Sequence, residues 1–489
     1  MPLILGTNSI KDTGYNVANS LRFNQGSSDY LNRTNGSSTG KIWSFSCWFK
    51  ISDPSDTNMN IFNVSSDANN TTYVEVATKS QNGLDIQVRN GSGTTYIRRR
   101  SSAVLRDVTS WYNAIVIFDS TNSTADDRIK VFLNGSRLTS FQENVGTVDA
   151  DYVTQIGVSN AAVEIGRNTS AAHHFDGYLA EIVLVDGTAL STTDFGEFDE
   201  DSPTIWKPKD VSGLTFGTNG FHLDFENSSA LGNDVSGNDN DFTVNNLTAA
   251  DQTTDTCTNN FATLNPLGFA GTIPTFSQGN LNVVCGSGVS LWSVPTIGVS
   301  SGKWYVEGRL EGSTIASGVY YHDIGFADRP DNAGQSLYSS DARVFWLSSW
   351  DGKINYRTGG STTAGLVTGL TTIVPGNFFQ LYLDMDNELM YWGREGSLLN
   401  STGVSFNGKE SLTGEYYFAF ADQYTNGTTE YAVNFGQGSF VGSNYGTTSV
   451  SNFQDANGFG NFKYNPTVTT DEGSKDFLAL CTKNLAESG

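Results

Sequence analysis

The chain is poor in charge, in proline and in cysteine. Charged residues fill only 16% of its 489 positions, and 51 Asp and Glu outnumber 28 Lys and Arg, giving a formal net charge of −23. A protein that grips the phosphate backbone needs a Lys and Arg surplus to displace counterions, so no nucleic-acid partner is expected. The same acidity opposes binding to anionic membrane surfaces. No apolar run approaches the length of a membrane span, so no membrane insertion is expected. The opening "MPLILGTNSI" has a short apolar run with no basic region before it, which does not read as a signal peptide. Ten Pro argue against long disordered linkers. The four Cys (Cys47, Cys257, Cys285, Cys481) have no C-x-x-C spacing and are too sparse for a disulfide framework, so free, partly buried thiols are expected.

Ser, Thr, Asn and Gly stand where the charge is missing. That is the palette of short strands joined by many turns. Aromatics at 12% supply large rings for sandwich cores. At this length the chain should divide into several domains.

The pattern is strand-like throughout. "WSFSCWFKIS" places Trp43, Phe45, Cys47 and Phe49 on one face. "WYNAIVIFD" (Trp111–Asp119) reads as a buried strand. In "RIKVFLNGSRL", Asn134-Gly135 between two strand-like arms signals a type I′ hairpin, because both residues tolerate positive φ. Ser191-Thr192-Thr193 can open a short helical turn, and Pro203 and Pro208 then break regular structure. Farther on, "GKWYVEGRL" puts Trp304 and Val306 on one face, and "FFQLYLDMDNELMYWGREG" forms two alternating arms around Met385–Glu388. The expected organisation is all-β. An N-terminal segment 1–17 precedes a sandwich over 18–207. A connector with a small hairpin follows over 208–262, then a second sandwich over 263–466 and a tail over 467–489. In that tail Phe477, Leu478, Leu480 and Cys481 should pack back onto the second sandwich.

The ordered set Leu21, Phe23, Tyr30, Trp48, Trp111, Asn134, Gly135, Ile165, Gly166, Phe175, Gly177, Glu181, Leu190 and Phe195 resembles a laminin-G-like, concanavalin-A-type jelly roll. The runs "GKWYVEGRL", "YYHDIGFADR" (with Tyr338 and Tyr356 in the following strands), "LYLDMDNELMYW", "YYFAFADQ" and "AVNFGQGSF" resemble a SPRY domain. That family implies a β-sandwich that binds through surface loops and has no active site of its own. It usually carries Asp-Asn-Gly at the hairpin where Glu388 now stands, so a longer or kinked turn is expected. The pairing of the two modules, with the "MPLILGTNSI" start and the "FKYNP…ALCTKNL" end, resembles structural proteins of marine tailed bacteriophages. The resemblance implies a virion fibre, decoration or appendage subunit. Capsid or tail proteins would be its partners, with host-surface glycans as ligands, residues 1–17 as a docking segment, and a homo-oligomer, trimer favoured. The alternative is a free carbohydrate-binding lectin or a polysaccharide-degrading enzyme.

Few constellations suggest chemistry. Asp384, Asp386 and Glu388 form an acidic run, but they sit where the resemblance expects a hairpin, not a concave catalytic sheet. Glu181 lacks companion acids at alternating positions. No nucleophile motif or phosphate loop occurs, so no catalytic residue and no enzyme activity are expected. The oxygen-rich loop of Asn233, Asp234, Asn238, Asp239 and Asp241 is a candidate calcium site, with Asp126 and Asp127 a second. No other cofactor is expected. His173 and His174 lack a third zinc ligand and read as loop residues. Trp346 and Trp350, four apart in "RVFWLSSWDGK", would share a strand face, and they are the candidate ligand platform beside the alternative of a core strand.

Overall fold

The structure, a computed structural model, describes residues 14–53, 58–77, 83–90, 96–267, 274–285, 292–313, 322–328, 342–348, 351–422, 429–442 and 444–487. Residues 1–13 of the expected docking segment, Tyr338 and Trp350 lie outside them. The chain divides into two compact units at Thr258/Asn259. Both are built of sheets that are antiparallel save for one short parallel pairing of Leu478–Ala479 in the second, the expected all-β class.

In the first unit the strands are β1 (Ser20–Phe23), β2 (Tyr30–Thr34), β3 (Ile42–Ile51), β4 (Asn58–Asp67), β5 (Asn70–Ala77), β6 (Gly83–Arg89) and β7 (Tyr96–Ser101). They continue with β8 (Tyr112–Asp119), β9 (Ile129–Leu133), β10 (Ser136–Arg137), β11 (Phe141–Val145), β12 (Ala162–Ile165) and β13 (Gly177–Asp186). A hairpin of β14 (Gly196–Phe198) and β15 (Trp206–Pro208) precedes three short strands, β16 (Phe221–Leu223), β17 (Thr243–Asn245) and β18 (Gln252–Thr253). One sheet runs β10-β9-β8-β3-β13-β1-β18, with β16 also on β13, and the other runs β11-β7-β6-β5-β4-β12-β2-β17.

Alternation along the strands builds the core between these sheets. Trp43, Phe45, Cys47 and Phe49 all point inward from β3 and are fully buried. Each such side chain removed from water is worth about 1.5–3 kcal/mol. The Asn134-Gly135 turn has φ of 47° and 72°, as a type I′ hairpin requires. A Cβ on Gly135 would lie 2.2 Å from the Trp206 ring, so glycine is also needed for packing.

The opposite face of the first sheet is apolar too. Trp48, Ile115, Ile117, Tyr178 and Val183 lie there under Phe195, Trp206, Val211 and Phe216 from the segment after β13. That segment begins with a single 3-10 turn at Thr192–Asp194, where Ser191 N–H donates to Asp194. Tyr15 and Val17 join the same layer. Beneath it Lys50 and Asp255 form a buried ion pair at 2.9 Å, and Trp111 donates its indole N–H to Asp255 at 3.0 Å.

Residues 208–258 differ from the expected connector. Their strands do not pair with each other: β16 joins β13, β17 joins β2 and β18 joins β1. Three-residue strands flanked by Asn and Asp have no readable period, and their partners lie far away in sequence.

The second unit opens with β19 (Thr275–Ser277), β20 (Asn282–Cys285), β21 (Trp292–Ser293), β22 (Lys303–Ser313), β23 (His322–Ala327), β24 (Val344–Ser348), β25 (Lys353–Thr358) and β26 (Ser361–Val367). β27 (Phe378–Asp384), β28 (Leu389–Arg394), β29 (Ser397–Leu398), β30 (Val404–Ser405), β31 (Tyr417–Asp422) and β32 (Thr429–Asn434) follow. The sheets are β19-β20-β32-β22-β27-β28-β29 and β21-β31-β23-β24-β25-β26. Trp304 and Val306 face the core together, as expected. The β27–β28 turn keeps Asp384 opposite Leu389, and Glu388 takes the positive φ of 56° that a glycine would supply. The tail packs back as expected: Phe477 stacks edge-on to Tyr382, and Leu480 enters the core. Glu307, fully buried, pins Lys463 and Tyr464 by accepting their N–H groups (2.7 and 3.0 Å), and it also accepts from Asn434 Nδ2 (2.9 Å) and the Tyr305 hydroxyl (2.9 Å).

Candidate functional site

With one outer face of the first sandwich closed by its own chain, the outer face of the other sheet is the place for a site. Alternation there turns Val64, Val74, Ile86 and Val88 into the core. The intervening positions are polar. Register sets Asn32, Glu164, Asn63, Tyr73, Gln87 and Arg98 directly opposite one another across β2, β12, β4, β5, β6 and β7. At a strand spacing near 4.8 Å this row is about 24 Å long. A parallel row carries Ser65, Thr71 and Arg89, and a third carries Asn60, Glu75, Asp85 and Arg100.

A pocket of about 250 Å³ opens on this face. Asn63, Tyr73, Gln87 and Arg89 form its floor, and Asn168–Ser170 and Asp67 line it too. Both flanking turns are held from within. Asn168 Oδ1 accepts the N–H groups of Ser170 (3.1 Å) and Ala172 (3.0 Å), and Asp67 Oδ1 accepts those of Asn69 (2.8 Å) and Asn70 (3.1 Å).

The face holds hydrogen-bonding capacity that the protein does not use, at Asn63 on the pocket floor and at Glu164, Asn60 and Glu75 on the same face outside the pocket lining. Asn63 is 1% exposed, its Oδ1 accepts the Thr71 hydroxyl at 2.7 Å, and its Nδ2 has no partner. Glu164 is 4% exposed, its Oε1 accepts Arg167 Nη2 at 2.8 Å, and its Oε2 has no partner. Asn60 Oδ1 and Glu75 Oε1 are likewise buried and unpartnered. A buried polar atom without a protein partner costs about 1–3 kcal/mol, and such atoms are met by a ligand or by ordered water. Burial raises the Glu164 carboxyl above its usual range against the pull of Arg167. Burial, with Glu75 and Asp85 nearby, keeps the Tyr73 phenol protonated, so it is a neutral donor and acceptor. Several charges of the face are mutually paired: Asp85 and Glu143 with Arg98 and Arg100, and Glu164 with Arg167. The guanidinium of Arg167 also lies 3.3 Å from the Tyr30 ring centroid.

The residues singled out from sequence lie elsewhere. Trp346 is 3% exposed and packs edge-on against Trp292, with Val344, Ala419 and Ala421 in the same apolar cluster, so it offers no open platform. The calcium-candidate loop is satisfied by its own donors. Asp234 Oδ1 accepts the N–H groups of His222 (2.8 Å) and Ser236 (2.9 Å), and its Oδ2 accepts the Ser236 hydroxyl (2.8 Å) and the Asn240 N–H (2.9 Å). Asp241 accepts the Asp234 N–H, and Asn238 Nδ2 donates to the carbonyls of Gly217 and Gly220. Asn233 N–H donates to Ala230, and Asp239 occupies a left-handed turn position. Asp127 pairs with Arg137. Among the described residues no three His, Cys, Asp or Glu side chains are grouped to hold a metal. Asp384 is buried against Lys475 and Asn387, and the exposed Asp386 pairs with Lys303, which fits the hairpin reading of that acidic run. The four cysteines are free, as expected.

Residues 25–194 match the Laminin_G_3 family, described as the concanavalin A-like lectin/glucanases superfamily. The matched residues lie within the first sandwich. Among solved structures, the SPRY domain of human HERC1 is similar at 17% identity, covering 31% of this chain and 87% of that one with a TM-score of 0.25. Mouse laminin α1 domains LG4-5 are similar at 10% identity, covering 85% of this chain and 84% of that one (TM-score 0.27). The Ruminococcus gnavus IT-sialidase CBM40 bound to α2,3-sialyllactose is similar at 13% identity, covering 32% of this chain and 80% of that one (TM-score 0.24). No curated protein matches the chain.

The pocket-bearing face was not singled out from sequence. Its signal was present in "NIFNVSSD", "TYVEVA" and "LDIQVR", where Asn63, Tyr73 and Gln87 occupy the outward positions of alternating strands. Nothing local says that these three positions share a row.

Proposed function

We propose that this chain is a non-enzymatic binding protein that holds a glycan in the pocket of the first sandwich. The observation that carries this reading is the Asn63 amide. Thr71 fixes its orientation, it is buried on a polar floor, and its Nδ2 hydrogens have nothing to bond. Sugar rings offer hydroxyl groups at the spacing such a floor can meet, and Tyr73 adds a ring surface. The test is calorimetric titration of the full chain with a panel of oligosaccharides, alongside an assay for released reducing sugar. Binding without hydrolysis is expected. Sugar release that disappears in an Asp384→Asn/Asp386→Asn double variant would overturn the non-enzymatic part.

We further infer a place for this binding: a virion of a tailed bacteriophage, as a fibre, decoration or appendage subunit that meets capsid or tail proteins and host-surface glycans. The order of the two modules and the terminal runs quoted above support this. A homo-oligomer, trimer favoured, follows from the same resemblance. Light scattering at micromolar concentration tests the oligomer, and a monomer would count against it. Immunolabelling of intact particles separates the virion subunit from a free lectin using the same pocket.

A further inference from the structure

We propose that the pocket, with the polar row beside it, selects neutral, hydroxyl-rich sugars over acidic ones, and that Asn63 on the pocket floor and Glu164 on the adjacent strand together read a single ligand hydroxyl. This rests on the glycan-binding reading above and deepens it. The two residues stand directly opposite on β4 and β12, where side chains lie about 4.5–5.5 Å apart at Cβ. They do not bond to each other. Each keeps one buried atom unpartnered, a donor on Asn63 (Nδ2) and an acceptor on Glu164 (Oε2). Thr71 and Arg167 occupy their other oxygens and fix which atoms are left over.

The chemistry of that pair discriminates between ligand groups. A hydroxyl is donor and acceptor at once, so it can accept from Asn63 and donate to Glu164. A carboxylate or sulfate only accepts. It would satisfy Asn63 but leave Glu164 unpaired and place like charges together, which is disfavoured at short range. An ammonium only donates and would leave Asn63 unmet. The rest of the face agrees. Two more unpartnered buried atoms of the face, Asn60 Oδ1 and Glu75 Oε1, are acceptors that call for a ligand donor. Three of its arginines, Arg98, Arg100 and Arg167, are held by acids of the same face, while Arg89 lines the pocket itself.

The test titrates the full chain with matched neutral and acidic oligosaccharides (hexose oligomers against sialylated and uronate-containing ones) between about 50 and 500 mM salt, a range over which charge–charge attraction is strongly screened. Neutral oligomers should bind with less than a threefold change in affinity across the salt range, and acidic ones at least tenfold more weakly. Glu164→Gln turns the acceptor toward a donor, and it should cost neutral sugars at least tenfold while narrowing the gap to acidic ones. Thr71→Val, which frees the Asn63 amide to rotate, should weaken neutral binding without changing the preference. Unchanged melting temperatures show that the variants fold. Tighter, salt-sensitive binding of acidic sugars that is lost in Gln87→Ala would overturn this specificity and leave the pocket reading intact. Absence of binding to both classes would overturn both.

Discussion

Where the first sandwich turns Asn63, Tyr73 and Gln87 outward, the second turns Val344, Trp346 and Ala419 outward and buries them. Both sandwiches close their other outer face with their own chain: the segment after β13 in the first, the C-terminal tail in the second. The same strand alternation therefore makes an open polar face in one sandwich and apolar layers on both sides of the other. What differs is the chemistry of every second residue, and the proposed binding site rests on that difference.

The comparison can be broken first at the buried pins. Removing one partner of a buried ion pair costs about 3–5 kcal/mol, so Asp255→Ala should lower the unfolding free energy of the first sandwich by that much in chemical denaturation read through its tryptophans. A half-exposed pair is worth under about 1 kcal/mol, so Lys303→Ala, which removes the Asp386 contact in the second sandwich, should barely register. Glu307→Gln sets an amide nitrogen among four donors, two of which, the Lys463 and Tyr464 N–H groups, anchor the tail. Burial raises the Glu307 carboxyl to about 7; above that pH, where it is ionised, hydrogen bonds to it contribute about 1.5–3 kcal/mol each, and a loss of that size is expected, with faster amide exchange at Lys463 and Tyr464.

Binding comes next in magnitude. Gln87→Ala removes one floor contact and should weaken oligosaccharide affinity about tenfold, a loss of about 1.4 kcal/mol, with little change in melting. An equal loss of stability would mean that the floor is packing and nothing more.

The smallest effect separates the two buried histidines. Burial alone pushes His322 down to about 3. In the folded second sandwich it is neutral, so stability should decline as pH falls below the ordinary imidazole value of about 6.5. For His222 burial lowers the pKa, but the Glu181 hydrogen bond and charge, with Asp224 and Asp234, outweigh it and raise the net value. Its stabilisation is complete below about 6.5 and fades as pH rises through the raised value. NMR titration should show opposite shifts from free histidine, and His322→Gln and His222→Gln should each remove one of the two slopes.

Much of the fold was legible in the sequence. The inward set Trp43, Phe45, Cys47 and Phe49, the Asn134-Gly135 turn and the returning Phe477 all follow from local period and turn chemistry. The short strands β16 to β18 did not show, because each is set by a partner from an earlier part of the chain. The site was harder still. Asn63, Tyr73, Gln87 and Glu164 belong to four strands, and only register brings them into a row. Spacing of four in a strand says that two residues share a face, but not whether that face is covered, which is why Trp346 read as a platform. An oxygen-rich loop looks the same in sequence whether its donors are a cation or its own backbone N–H groups. Around Asp234 they are the latter.

The most direct measurement is the side-chain amide resonance of Asn63 in isotope-labelled full chain during addition of a neutral oligosaccharide. A saturable shift of that signal, with companion shifts at Gln87 and Tyr73, is expected. Shifts confined to residues 259–487, or none at saturating sugar, would contradict the assignment of binding to the polar face of the first sandwich.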